Sequence, residues 1–182
     1  MASHSSEVTE LEHPIELLAY GFVPDKAGAG KYRGGVPFRR DYRFLESEGV
    51  LQVRSDRRDH RPFGLYGGSP GAPSENYFNP EAENRVLPGK FTMTVRKGDV
   101  LRHVLAGAGG WGDPLERDPG AVLRDVRNEL LSPAKARADY GVVVDTKRWA
   151  IDAVASELER ARIRAARGWR EVPAVQRHDP VP

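Results

Sequence analysis

In the stretch FRRDYRFLE, Phe38, Tyr42 and Phe44 fall on one parity and Arg39, Asp41 and Arg43 on the other. A period of two marks a strand with one face buried. VLQVRS carries the pattern on, with Leu51 and Val53 on one face. In FTMTVRKGDVLRHVLA, Phe91, Met93 and Val95 alternate with Thr92, Thr94 and Arg96. Lys97-Gly98-Asp99 supplies turn chemistry and residues 100–105 return, so the spacing predicts a β-hairpin. Between these strands PFGLYGGSPGAPSENYFNP is dense in Gly, Pro, Ser and Asn and reads as a loop.

The period changes after Gly112. Asp118-Pro119 pairs an N-cap acid with proline at the first helical position. Val122, Leu123, Val126 and Leu130 then form an apolar stripe at helical spacing. Ser132-Pro133 opens a second helix, with Gly141 placed as its C-terminal cap. VVVD reads as a short buried strand, and Ile151, Val154, Ala155, Leu158, Ala161 and Ala165 outline a third helix. The fold class predicted is α+β, a β-rich body with glycine-rich loops followed by a small C-terminal helical segment. Its boundaries are a flexible N-terminus at 1–10, the body at 11–112, a helical tail packed on it at 113–170 and an extended proline-containing tail at 171–182.

Composition narrows the class. The chain has 182 residues, 39% hydrophobic and 30% charged, and a mean hydropathy of -0.57. No apolar run reaches the ~20 residues of a membrane span, and MASHSSEVTELEHP has neither the basic nor the apolar region of a signal peptide. The absence of cysteine excludes disulfides, thiolate metal sites and a cysteine nucleophile. The expectation is a cytoplasmic protein. The net charge is only +2, and in VRSDRRDHRPFG Asp56 and Asp59 sit among the arginines. That mixing argues against a nucleic-acid surface.

Three glycine-rich motifs fail on their chemistry. Gly107, Gly109 and Gly112 in GAGGWGDP satisfy G-x-G-x-x-G. A dinucleotide loop, however, needs a helix N-terminus at the last glycine. Pro114 disfavours helix at Asp113, and the next helix signal is Asp118. The expectation is a glycine crossover from sheet to helix with Trp111 packed as an anchor. In AGAGKYRGG, Asp25 stands where a phosphate loop needs its first glycine and Tyr32 where it needs a hydroxyl for magnesium. In GGSPG, Pro70 follows Ser69 and has no N–H to serve an oxyanion. The histidines 4, 13, 60, 103 and 178 show no metal-ligand spacing.

Three stretches in order carry more. They are GFVPDKAGAGKYRGGVPFRRDYRF, SDRRDHRPFGLYGGSPGAPSENYFNP and LPGKFTMTVRKGDVLRHVLAGAGGWGDPLERDPGAVLRDVRNELLSPAKARADYGVVVD. Together they resemble the C-terminal region of the hydantoinase B/oxoprolinase family, whose members are usually several times longer. The resemblance implies a subunit of a multi-subunit ATP-dependent cyclic-amide hydrolase, completing the fold of a split B component and inactive alone. Ketone carboxylases of the acetone and acetophenone type are related, so a carboxylase subunit or a non-catalytic assembly module is the alternative. It also implies activation of a carbonyl oxygen by phosphoryl transfer, then attack by water or a carbon nucleophile.

The same resemblance implies a hetero-oligomer with a larger B-type subunit and an A-type ATP-binding subunit. ATP and magnesium, and any divalent metal, would then be held by partners and none by this chain. Neither nucleic acid nor membrane is implied as a partner. No catalytic residue is assigned. Arg54, Arg57, Arg58 and His60 are the candidates to contact a substrate or intermediate, because guanidinium forks suit carboxylate and phosphate groups. Gly107, Gly109, Gly110, Gly112 and Asp113 are candidates for a structural glycine loop, with Asp113 accepting from glycine-loop amides. Phe63, Tyr66, Trp111 and Trp149 are candidates for burial in a partner interface or in the local core.

Overall fold

A computed structural model describes residues 5–167 and the two-residue strand at 175–176. The rest of the tail predicted to be extended lies outside the described residues, as do His4 and His178. In chain order the elements are α1 (Ser6–Glu12), β1 (Ile15–Phe22), β2 (Phe38–Phe44), β3 (Glu48–Arg54), β4 (Gly64–Leu65), β5 (Glu75–Phe78), β6 (Arg85–Leu87), β7 (Lys90–Arg96) and β8 (Val100–Val104). A 3-10 turn at Pro114–Glu116 follows, then α2 (Pro119–Arg127), α3 (Pro133–Tyr140), β9 (Val143–Asp145), β10 (Ala150–Asp152), α4 (Ala153–Arg167) and β11 (Val175–Gln176). The architecture is α+β, with antiparallel strands dominating.

Five strands form one antiparallel sheet in the order β1-β2-β8-β5-β6. The period-two reading of β2 holds. Tyr42 lies across from Leu101, and Leu101 across from Phe78, so these side chains share one face. Against that face packs the two-stranded sheet β3-β7. Phe78, Leu87, Val95 and Leu101 are buried between the sheets, with Tyr42, Phe44, Leu51, Val53, Phe91 and Met93 packed around them.

The predicted hairpin of residues 90–105 does not form. β7 pairs with β3, while β8 lies between β2 and β5 in the other sheet. The turn is tied across instead: Gly98 N donates to Phe44 O at 2.8 Å and Phe44 N to Asp99 O at 3.0 Å. Asn79 Oδ1 accepts from Val100 N at 2.8 Å. Alternation sets which face of a strand is buried, but not which strand it pairs with. For the same reason β3 belongs to the second sheet rather than continuing β2.

The outer face of the large sheet is ion-paired. Asp41 is buried and accepts from Arg39 (2.6 and 2.9 Å) and from Arg102 (2.9 and 3.1 Å). Burial alone would raise its carboxyl, but the hydrogen bonds from Arg102 and Arg39 outweigh that and hold it below the usual range.

The helical tail follows its sequence signals closely. Asp118 accepts from Gly120 N and Ala121 N, Ser132 from Lys135 N, and Gly141 closes α3 in the left-handed region at φ 62°. Val122, Val126, Leu131, Ala136, Tyr140 and Val142 form a second core, which reaches into the glycine-rich region at Ala29. A carboxylate clamps the same joint. Asp125, buried in α2, takes Arg33 at 3.0 and 3.2 Å and Arg117 at 2.9 Å.

The third predicted helix forms, but its orientation and start differ from the apolar stripe. Ile151 lies in β10, which pairs with β9. The buried residues of α4 are Ser156, Glu159, Arg160 and Ile163, whereas Val154 and Leu158 are 74% and 68% exposed. Polar partners explain the inversion: Arg160 donates to Tyr140 O and Arg117 O, and Ser156 Oγ both donates to Asp152 O and accepts from Val143 N.

Candidate functional site

Three glycine-rich segments, 26–35, 62–72 and 106–112, come together between the sheets and the tail. They are joined by backbone hydrogen bonds in all three pairwise directions. Gly28 N donates to Ala108 O (2.8 Å), Ser69 N to Ala29 O (2.7 Å), Gly110 N to Ser69 O (2.9 Å) and Leu65 N to Gly110 O (2.9 Å). Gly107 N and Gly112 N donate to Ala72 O (3.0 Å) and Leu65 O (2.9 Å). Glycine is required by proximity. A Cβ on Gly110 would fall on the Ala29 carbonyl, 2.5 Å from its carbon and nearer still to its oxygen. A Cβ on Gly30 would lie 2.6 Å from Trp111 N. The amides of Gly107, Gly110 and Gly112 are thus spent on neighbouring carbonyls instead of facing an open anion cradle.

Asp113 does not serve glycine-loop amides as expected. Its Oδ1 accepts from Leu115 N at 2.9 Å, capping the 3-10 turn, and from Arg167 at 2.8 Å. Trp111 is not a core anchor either. It is 44% exposed, with Tyr32 and Tyr66 at 63% and 57%. The Tyr32 and Tyr66 rings lie 5.6 and 5.5 Å from the Trp111 ring, so the glycine bundle carries a trio of aromatics on its solvent side. Phe63 and Trp149 are also exposed; none of the four aromatic candidates is buried in the local core.

The second feature is a cleft of about 360 Å³ between the sheets. Tyr42, Phe44, Leu51, Val53 and Leu101 wall it, and Gln52, Arg54, Ser55 and His103 also line it. His103 is held by Asn76, which is fully buried. Asn76 Nδ2 donates to Pro88 O at 3.0 Å, which turns its Oδ1 toward His103 Nδ1 at 2.6 Å. The proton therefore sits on Nδ1, and Nε2 is left as an acceptor. Burial, with the Arg40 charge nearby, holds the imidazole below its ordinary pKa, so it is neutral at pH 7. Ser74 Oγ donates to Asp56 O, leaving Ser55 Oγ to donate to Ser74 Oγ at 2.9 Å. A neutral imidazole acceptor among apolar walls suits a small uncharged ligand that donates a hydrogen bond.

Of the four residues singled out in sequence, only Arg54 lines this cleft. Arg57 is exposed, with a left-handed backbone at φ 63°. Arg58 approaches Asp59 at 3.9 Å, and His60 is exposed. The structure does not gather these four into one constellation. His103 and Asn76 carry no sequence signal beyond a lone histidine and a lone asparagine, since β8 and β5 are not predictable neighbours. Among the described residues no group of three His, Asp or Glu is arranged to hold a metal ion, and no helix is long and apolar enough to cross a membrane.

The sequence model of a family described as Hydantoinase B/oxoprolinase matches residues 1–114. An uncharacterized protein of Methanocaldococcus jannaschii is 40% identical over 141 residues, 78% of this chain and 25% of the relative. Caprolactamase subunit beta of Pseudomonas jessenii is 29% identical over 168 residues, 88% of this chain and 28% of the relative. Among solved structures, the ATP-dependent caprolactamase of Pseudomonas jessenii superposes with a TM-score of 0.75 at 29% identity, covering 87% of this chain and 28% of that one. Nucleotide-free acetone carboxylase superposes at 0.66 with 22% identity, covering 90% of this chain and 26% of that one, a likeness of fold. The chain spans about a quarter of the length of the two curated relatives named here.

Proposed function

The chain belongs to the hydantoinase B/oxoprolinase family, and on that footing we propose that it is a component of an ATP-dependent cyclic-amide hydrolase. In this reading it forms part of the B-type body beside a larger B-type subunit, and an A-type subunit holds ATP and magnesium. The observation that carries the reading is the likeness to the ATP-dependent caprolactamase across 87% of this chain. The amides of Gly107, Ala108, Gly110, Trp111 and Gly112 are bonded to neighbouring segments, which supports placing nucleotide on a partner. The exposed aromatic trio, and strands β3 and β7 that each pair with one strand among the described residues, support assembly with other protein surface.

The chemistry makes a division of labour reasonable. An amide resists water because its carbonyl carbon is shielded by resonance, and phosphoryl transfer to the carbonyl oxygen removes that protection. The contribution proposed for this chain is to hold and orient uncharged substrate surface, with His103 and Arg54 as the polar contacts of the cleft. Arg57, Arg58 and His60 remain proposed contacts for a charged intermediate at the adjoining surface. With no cysteine in the chain, a reducing cytoplasmic setting is part of the proposal.

Reconstitution tests it. The chain, an A-type subunit and a larger B-type subunit from the same source are combined, and ADP release and ring-opened product are followed with hydantoin, 5-oxoproline and caprolactam. Coupled turnover should appear only when all three are present. Equal turnover without this chain would refute the proposal. Bicarbonate-dependent consumption of a ketone by the same assembly would move it to the carboxylase reading that the acetone carboxylase fold raises.

A further inference from the structure

Helix α4 is mounted with its amphipathicity reversed. At about 100° per residue, Val154, Leu158, Ala161 and Ala165 share a single line diametrically opposite Ile163, the buried apolar residue of the helix. All four are exposed. Their spacing of four, three and four is that of a coiled-coil seam. The polar side is bonded to the body, since Glu159 takes Arg137 at 3.3 Å, Ser156 Oγ accepts from Val143 N and Arg160 donates to two backbone carbonyls. The helix therefore cannot roll its apolar line inward without stranding those groups. Glu157 and Arg164 border the seam on one edge, and neither makes a hydrogen bond or ion pair within the described residues.

We propose that α4 pairs antiparallel with α4 of a second copy of this chain across a two-fold axis. The seam is self-complementary in that arrangement. Setting Leu158 against Ala161 of the second copy places Val154 against Ala165, so each wide side chain meets a narrow one and the helices approach evenly. The same register brings Glu157 opposite Arg164 of the second copy, and the axis repeats the pair. Antiparallel seams match this edge with itself, and here the edge carries one charge of each sign without a hydrogen bond or ion pair among the described residues. Parallel pairing would stack Leu158 on Leu158 and Ala161 on Ala161, and would turn Glu157 toward Arg162, which already holds Glu159. The two alanines leave a modest contact, below the ~1,200 Å² of stable interfaces. Self-association is accordingly concentration-dependent, and reinforces whatever larger assembly the chain joins.

The test is sedimentation equilibrium of the full chain from about 10 μM to about 1 mM, the span over which a weak interface fills. The mass should rise with concentration from 20.2 kDa toward twice that value. Leu158→Asp, at an exposed position, should hold the chain at the monomer mass without lowering its melting temperature. Glu157→Arg and Arg164→Glu should each weaken pairing about tenfold, and the double exchange should recover most of the loss, because only a self-paired edge restores both contacts at once. A chain that stays at 20.2 kDa throughout, a dimer indifferent to Leu158→Asp, or a double exchange no tighter than the singles overturns the proposal. So does a monomeric chain that Leu158→Asp releases from a larger subunit, since the stripe would then be covered by a different protein.

Discussion

Substituting Gly110 by alanine should come close to unfolding the glycine bundle. The new Cβ would lie 2.5 Å from the Ala29 carbonyl carbon, and the obstacle is backbone rather than a movable side chain. Relief to an ordinary C···O contact of ~3.3 Å requires segments 26–35 and 106–112 to part by more than about 1 Å. The bonds that join these two segments, Gly28 N to Ala108 O, Ala108 N to Gly35 O and Trp111 N to Tyr32 O, are 2.8 to 3.0 Å long, so that displacement takes them out of hydrogen-bonding range. Two or three buried bonds at ~1 kcal/mol net, with groups left unsatisfied at ~1–3 kcal/mol each, give a loss of about 3–6 kcal/mol. Against a typical total of ~5–15 kcal/mol, that is a fall in melting temperature on the order of 10–20 °C. Gly21→Ala is the control, because nothing lies within 4 Å of its added Cβ; its stability should change by less than about 1 kcal/mol. Thermal and urea unfolding followed by circular dichroism provide the measurement. A Gly110→Ala protein melting within about 3 °C of the parent would refute the claim that proximity dictates glycine here.

Other expectations follow from the same contacts. Asp125→Ala leaves Arg33 and Arg117 without their buried carboxylate and should cost about 3–5 kcal/mol in urea unfolding, whereas Glu116→Ala, which removes the exposed pair with Lys31, should cost about 0–1 kcal/mol. His103 is held below its unfolded value, so the unfolded chain takes its proton first: its contribution is intact above pH ~6.5 and is lost as pH falls toward the lowered folded value. His103→Gln should flatten that part of the difference between urea midpoints measured at pH 8 and pH 5. Trp111→Ala should leave the melting temperature nearly unchanged, the ring being exposed, but weaken recovery of the chain with the proposed B-type partner by about tenfold or more, as loss of a buried aromatic anchor does; unchanged recovery would remove the trio from the proposed interface.

Much of the fold could be read from local pattern. The period of two along β2, β3 and β7 marks the residues that fill the inter-sheet core, because strand side chains alternate faces whatever the strand pairs with. Asp118-Pro119, Ser132-Pro133 and Gly141 set the ends of α2 and α3 through hydrogen bonds within a few residues of themselves. The failures share one cause. The 97–99 turn has hairpin chemistry, yet Asp99 and Gly98 bond to Phe44 and extend the β2-β8 ladder. Likewise α4 has an apolar stripe, yet Arg160 finds Tyr140 and Arg117 and turns the polar side inward. A partner distant in sequence outweighed the local signal in each case. The candidate site was less legible still. Its histidine depends on Asn76 from a strand whose neighbour only the sheet order reveals, and Arg54 is the single forecast contact that reaches the cleft.

By itself the sequence determined the element types, the helix caps, the mixed charge and the family, since these follow from residue chemistry and the order of short motifs. Tertiary structure decided what the glycines are for. GAGGWG satisfies a nucleotide-loop pattern letter by letter, but the meaning of a glycine lies in what occupies the space its side chain would take. Here that space holds the carbonyls of two other segments: Ala29 and Lys26, each 81 residues before the glycine it meets, and Phe63, 46 residues before Gly109. No local pattern encodes that approach, because the constraint belongs to three backbones at once.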